Sequence, residues 1–131
     1  MSEVILRKYH GLGNDYLVFD PNCNEAALTE KQVELLCRRN VGVGADGILY
    51  GPFFDGDKIS VRIFNPDGSE AEKSGNGIRI FSRYLRDMGY VKEENFKLHT
   101  KAGVTGITFL DEKGTRMCVD MGAARFVAKD I

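Results

Sequence analysis

Residues 74–89 read Ser-Gly-Asn-Gly-Ile-Arg-Ile-Phe-Ser-Arg-Tyr-Leu-Arg-Asp-Met-Gly. In this stretch Ile78, Phe81, Leu85 and Met88 share one face of a helix. Ile80 and Tyr84 widen that face to more than half the circumference, which predicts a helix buried on several sides. Gly89 stands where a helix-ending glycine belongs. Just upstream, Ile59–Phe64 alternates Ile59, Val61 and Ile63 with Ser60, Arg62 and Phe64, a strand with one apolar face. Asn65-Pro66-Asp67-Gly68 is a turn. Downstream, strands are expected near Asn95–Thr100, Val104–Leu110 and Thr115–Met121. Turns at Ala102-Gly103 and Asp111–Gly114 make these a β-meander.

Towards the N-terminus the reading is more fragmented. Val4–Tyr9 and Tyr16–Asp20 are β-prone and flank a glycine loop, His10–Asp15. Thr29 and Gln32 form a capping box that opens a helix to about Arg39, with Asn40 as its stop. Gly42–Gly47 is a glycine-rich turn, Ile48–Tyr50 a short strand and Gly51–Lys58 a loop. The class is α+β: mostly antiparallel strands wrapped on a buried helix. No repeat or linker divides residues 1–131.

Composition narrows the function. The 131 residues carry 18 basic and 19 acidic side chains, net charge −1. No basic excess is available to neutralise nucleic-acid phosphates. No apolar run reaches transmembrane length, and MSEVILRKYH is not read as a secretory signal. Cys23, Cys37 and Cys118 are odd in number and form no C-x-x-C pair, which suggests neither a disulfide framework nor a zinc site and fits a reducing cytoplasm. With two histidines only, no metal site is expected. The excess residue is glycine, 15 in all, and the glycines cluster.

Two of the clusters imitate known phosphate loops. Gly42-x-Gly44-x-x-Gly47 matches the dinucleotide fingerprint but follows a helix and opens a strand, the reverse of what that site needs. Gly68–Ser74 resembles a P-loop that is one residue short and carries two glutamates where phosphate would sit. Ser74-Gly75-Asn76-Gly77 is more informative. Glycines let a ligand approach the backbone, and the first amides of a helix lack internal acceptors and sit at the positive end of the dipole, which suits a carboxylate. An ordinary N-cap is the competing reading. Asn14 and Asn65, in tight turns, can each donate and accept towards a zwitterionic amino acid, or simply close their own loops.

HGLGND (His10–Asp15), GVGADG (Gly42–Gly47), RIFNPDGSEAEKSGNGIR (Arg62–Arg79) and VDMG (Val119–Gly122) occur in one order. Together they resemble the N-terminal half of the diaminopimelate epimerases, amino-acid racemases that need no pyridoxal phosphate. The resemblance covers essentially the whole chain. It implies a lobe with a curved sheet around a central helix, a second lobe absent from these 131 residues, and a substrate cleft between the two. One cysteine from each lobe faces the α-carbon, one as base and one as acid. The resemblance also implies lysine and peptidoglycan precursor biosynthesis, in the cytoplasm, with no cofactor.

Residue by residue, it makes Asn14 and Asn65 substrate-binding and Gly75 and Asn76 the backbone cradle. Gly47 stands where some members present a side-chain amide. Ser74 holds the place of the N-terminal catalytic cysteine. A thiol at a helix N-terminus is drawn towards neutrality, whereas a serine needs a neighbouring base. By sequence position the candidates for that base are His10, Glu70 and Glu72. The expectation is therefore an incomplete isomerase, inactive alone, that awaits its C-terminal lobe or a second copy. The alternatives are a non-catalytic binding or assembly module, or a related isomerase or dehydratase using serine in place of the first cysteine.

Overall fold

The structure, a computed structural model, describes residues 5–11, 13–24, 29–37, 45–71, 75–113, 116–120 and 125–128. The strands are β1 Leu6–Gly11, β2 Asn14–Phe19, β3 Gly47–Asp55, β4 Lys58–Phe64, β5 Glu70–Ala71, β6 Asn95–Thr100, β7 Gly103–Phe109, β8 Met117–Asp120 and β9 Arg125–Ala128. The helices are α1 Glu30–Cys37 and α2 Gly75–Asp87. The nine strands among the described residues join one sheet in the order β1-β2-β3-β4-β6-β7-β8-β9, with β5 on β4. Six of the eight ladders are antiparallel; β2–β3 and β4–β6 are parallel. The mixed sheet curls into a half-barrel.

Side chains alternate across a strand, and here both faces are used. Val18, Leu49, Val61 and Ile63 turn inward to a cluster with Ile78, Phe81 and Leu85 of α2 and Leu98, Ile107 and Met117 of the meander. Leu17, Phe19, Ile48, Tyr50 and Phe64 turn outward, where Val33 and Cys37 of α1 cover them. β4 has the apolar face expected of Ile59, Val61 and Ile63, and Phe64, on its other face, belongs to the outer cluster, where α1 supplies a second layer.

The central helix behaves as its pattern predicts. Ile78, Ile80, Phe81, Tyr84 and Leu85 are all buried, and Ser82 stays satisfied by donating to the Ile78 carbonyl at 2.8 Å. At its end Gly89 has φ +77°. The Gly89 amide bonds to Arg86 O at 3.1 Å and the Tyr90 amide to Leu85 O at 2.9 Å, a Schellman closure. α1 opens with the reciprocal capping box: Gln32 N donates to Thr29 Oγ1 at 3.2 Å and Thr29 N to Gln32 Oε1 at 2.9 Å. The expected stop at Arg39–Asn40 lies outside the described residues.

A buried carboxylate fastens the helix to the sheet. Asp20 is 2% exposed. Its Oδ2 accepts from Tyr84 OH at 2.6 Å and Tyr90 OH at 2.8 Å, and its Oδ1 from Asn22 N at 2.7 Å and Asn22 Nδ2 at 2.9 Å. Burial, then the bond to Asp20, pushes both tyrosine pKa values well above the ordinary phenol range. On β1, Tyr9 donates to Asp87 Oδ2 at 2.7 Å. Burial first, and that bond second, raise its pKa to about 12.

Two expectations are corrected. His10–Asp15 is not a loop: β1 runs through Gly11, β2 starts at Asn14, and Gly11 pairs with Asn14. Gly51–Lys58 is not a loop either. β3 continues to Asp55 and turns only at Gly56-Asp57, because Gly51-Pro52 falls at an irregularity between Tyr50 and Phe53 where the ladder skips. Space is tight at Gly51: an added Cβ would lie 3.0 Å from Ser60 O and 3.1 Å from Phe81 Cζ. Two short strands, β5 and β9, went unforeseen.

Candidate functional site

Strand register gathers the predicted residues at one end of the sheet. Tyr16 of β2 lies beside Gly47 of β3, and Ile48 lies opposite Phe64 of β4. Asn14, Gly47 and Asn65 are therefore each within two residues of this cross-strand row. The row is extended by Asp46, whose amide donates to Asp15 O at 2.8 Å and whose Oδ2 accepts from Asp15 N at 2.8 Å. α2 starts within chain reach of this end. Ala71 pairs with Ile63, and the four peptide steps to Gly75 reach at most about 14 Å.

Each residue is held locally. Asn14 follows Gly13, at φ +82°, and by alternation shares the inner face with Tyr16 and Val18. Asn65 closes its own turn, as one reading allowed: its amide donates to Ser69 O at 2.8 Å and its Nδ2 to Ser69 Oγ at 3.0 Å. Within that turn Asp67 accepts from the side chain and amide of Ser69, which hold its pKa below the usual carboxylate value. Gly75 and Asn76 occupy the first turn of α2 and are half-buried. Asn76 Oδ1 accepts from Arg79 Nη2. Ser74 and Glu72 lie outside the described residues.

Two of the candidate bases point away. His10 and Asp15 face one another across the hairpin and bond through Nδ1 and Oδ1. They alternate with Tyr9 and Tyr16, and so lie on the outer face with Leu17 and Phe19. Glu70 is opposite the outward Phe64 and is engaged by Arg62 at 3.0 Å. That bond raises the Arg62 pKa.

Gly47 also acquires a physical reason. A Cβ there would lie 2.8 Å from Phe64 O and 2.8 Å from Tyr16 Cε1. The backbone of β4 and the ring of Tyr16 fill the space that a side chain would need. Neither Tyr16 nor Arg79 was singled out from the sequence. The i, i+3 spacing of Asn76 and Arg79 on a helix was the available signal for the second.

Residues 6–127 match the family described as diaminopimelate epimerase. The chain belongs to the diaminopimelate epimerase family. It is 50% identical over 125 residues to diaminopimelate epimerase 2 of Nostoc sp., an alignment covering 95% of this chain and 44% of that protein. It is 40% identical over 134 residues to the diaminopimelate epimerase of Methanothermobacter thermautotrophicus, covering 98% and 47%. The chain thus spans slightly less than half the length of these relatives and corresponds to their N-terminal part.

Solved structures agree on the fold. A probable proline racemase from Agrobacterium radiobacter superposes with TM-score 0.65 at 18% identity, over 87% of this chain and 40% of that one. A PhzF-family phenazine biosynthesis protein from Enterococcus faecalis gives 0.61 at 17% identity, over 88% and 42%. In this diaminopimelate epimerase family chain, no helix among the described residues is long and apolar enough to cross a membrane. Among those residues no three His, Cys, Asp or Glu side chains group to hold a metal ion.

Proposed function

We propose that this chain is the substrate-holding N-terminal lobe of a cofactor-independent amino-acid epimerase acting on diaminopimelate, and that it needs a second lobe to invert the stereocentre. The observation that supports the reading is the strand register, which sets Asn14 and Asn65 near one end of a family-matched sheet, within chain reach of the first turn of α2. In this reading the α2 amides at Gly75 and Asn76 hold the α-carboxylate. Asn14 and Asn65 orient the zwitterion, and Ser74 stands at the proton-transfer position. Inversion needs a proton removed from one face of the α-carbon and delivered to the other. One lobe borders one face, so the opposite proton carrier comes from a partner lobe or a second copy of the chain.

The test is α-proton exchange of diaminopimelate in heavy water, followed by NMR. The chain alone is expected to exchange slowly. Adding the complementary C-terminal part of the Nostoc relative should speed exchange, Ser74→Cys should accelerate it further and Ser74→Ala should abolish it. No exchange in the complemented Ser74→Cys chain would sink the epimerase reading. Ligand-induced shifts without exchange would favour a binding module.

A further inference from the structure

Asp46 completes a ladder that the strands alone leave unfinished. β3 begins at Gly47, beside Tyr16, whereas β2 reaches two residues further back, to Asp15 and Asn14. The N–H and C=O of Asp15 both face the β3 side, and one residue satisfies both. The Asp46 amide donates to Asp15 O at 2.8 Å, and Asp46 Oδ2 accepts from Asp15 N at 2.8 Å. The carboxylate stands in for a strand carbonyl, and as an ionised acceptor it makes the stronger bond. The N–H it holds belongs to the planar peptide that joins Asn14 to Asp15. Asp46 Oδ2 therefore fixes the plane of that peptide, and with it the ψ angle of Asn14. Asp46 is itself held on both sides. Ala45 is buried and its amide donates to Cys37 O at 3.4 Å, and Gly47 is pressed between Phe64 O and the Tyr16 ring.

We propose that Asp46 is a positioning residue: it locks the Asn14–Asp15 peptide so that Asn14 presents its side-chain amide to the amino-acid substrate. The inference rests on the reading of Asn14 as a substrate-binding residue. Alanine at position 46 takes this acceptor from Asp15 N, so the peptide can rotate and carry Asn14 with it. The effect on binding then passes through Asn14, and a double-mutant cycle reads that dependence directly. A strap that serves stability alone would show no such coupling.

The experiment titrates the 15N-labelled chain with diaminopimelate and reads amide shifts. Asn14→Ala should weaken binding about tenfold, the worth of one hydrogen bond to a charged group. Asp46→Ala should weaken it by nearly as much in the native background, and by less than about twofold in the Asn14→Ala background. Asp46→Asn, whose side-chain oxygen can accept the same bond, should recover most of the loss. Asp46→Glu keeps the charge but carries it one methylene further, and gives the same comparison if Asp46→Ala does not fold. Equal weakening in both backgrounds overturns the role of Asp46, as does unchanged binding by Asp46→Ala. Asn14→Ala separates this from the underlying reading. If it weakens binding while the cycle shows no coupling, Asn14 keeps its role and the Asp46 inference falls. If Asn14→Ala changes nothing, or diaminopimelate shifts no signal, both fall.

Discussion

Replacing Asp20 by alanine removes an acceptor that serves four donors at 2.6–2.9 Å. The losses are unequal. Asn22 is exposed and its amide can turn to water. Tyr90 is half-buried and recovers part of its bonding. Tyr84 is 3% exposed, so its hydroxyl is stranded and bears the full desolvation penalty, about 1–3 kcal/mol. Adding the charge-assisted bond lost at Tyr90 and the small void gives a destabilisation of about 3–5 kcal/mol, a large fraction of the stability of a domain this size. With a urea slope of about 1.5 kcal/mol/M, the midpoint should fall by about 2–3 M. Circular dichroism across a urea series reads this directly. The decisive arm is Asp20→Ala combined with Tyr84→Phe. Deleting the stranded hydroxyl should recover about 1 kcal/mol relative to Asp20→Ala alone. A midpoint drop under about 0.5 M for Asp20→Ala, or a double variant no more stable than the single one, would refute the account.

Other outcomes follow from local geometry. Gly47→Ala should destabilise by about 1–3 kcal/mol and move the Tyr16 and Asn65 amide signals, because its Cβ meets Phe64 O and Tyr16 Cε1 at 2.8 Å. Gly106→Ala, whose Cβ finds only Asp120 Cβ at 3.8 Å, should be close to neutral in the same urea assay. Gly89→Ala should lower stability by about 1–2 kcal/mol, because φ +77° is left-handed and unfavourable to a Cβ. Stability should also fall above about pH 10. Tyr9, Tyr84 and Tyr90 have raised folded-state pKa values, so their contribution is complete below the unfolded phenol value and is lost as pH rises from there. For Tyr9 that loss is spread between 10.0 and about 12. Each retained proton adds a slope of about 1.4 kcal/mol per pH unit, and Tyr84→Phe should flatten the urea-midpoint profile measured across that window.

What could be read from the chain was local. The faces of α2, the Gly89 stop, the Thr29–Gln32 box and the β6–β8 meander each follow from a period or a cap within a few residues. The misreadings arose where glycine and proline were taken as breaks. Gly13, at φ +82°, turns a hairpin, and Gly51-Pro52 sits inside β3, where the backbone of β4 and the ring of Phe81 leave little room beside Gly51. The parallel pairing of Ile59-Ser60 with Leu98-His99 joins segments almost forty residues apart, and no local pattern encodes it. The site shows the same division. Asn14, Asn65, Gly75 and Asn76 stood out as motif residues, whereas the Arg79 contact to Asn76 and the Tyr16 ring over Gly47 appear only once the backbone is placed.

The alternation of side chains bears most directly on the chemistry. Glu70 is near the helix mouth in sequence and His10 opens the first glycine motif, but register turns both to the outer face, where Asp15 and Arg62 engage them. At that end of the sheet stand the amides of Asn14 and Asn65, and in the first turns of α2 the amide of Asn76 and the guanidinium of Arg79. Such groups hold an amino acid in place and do not exchange protons near neutral pH. Serine chemistry requires a neighbouring base, and neither His10 nor Glu70 turns to the inner face to supply one. Under the proposed function this lobe therefore binds more readily than it deprotonates. Ser74→Cys should then change exchange more than any alteration of His10 or Glu70, because a thiol at a helix N-terminus becomes its own base near neutral pH.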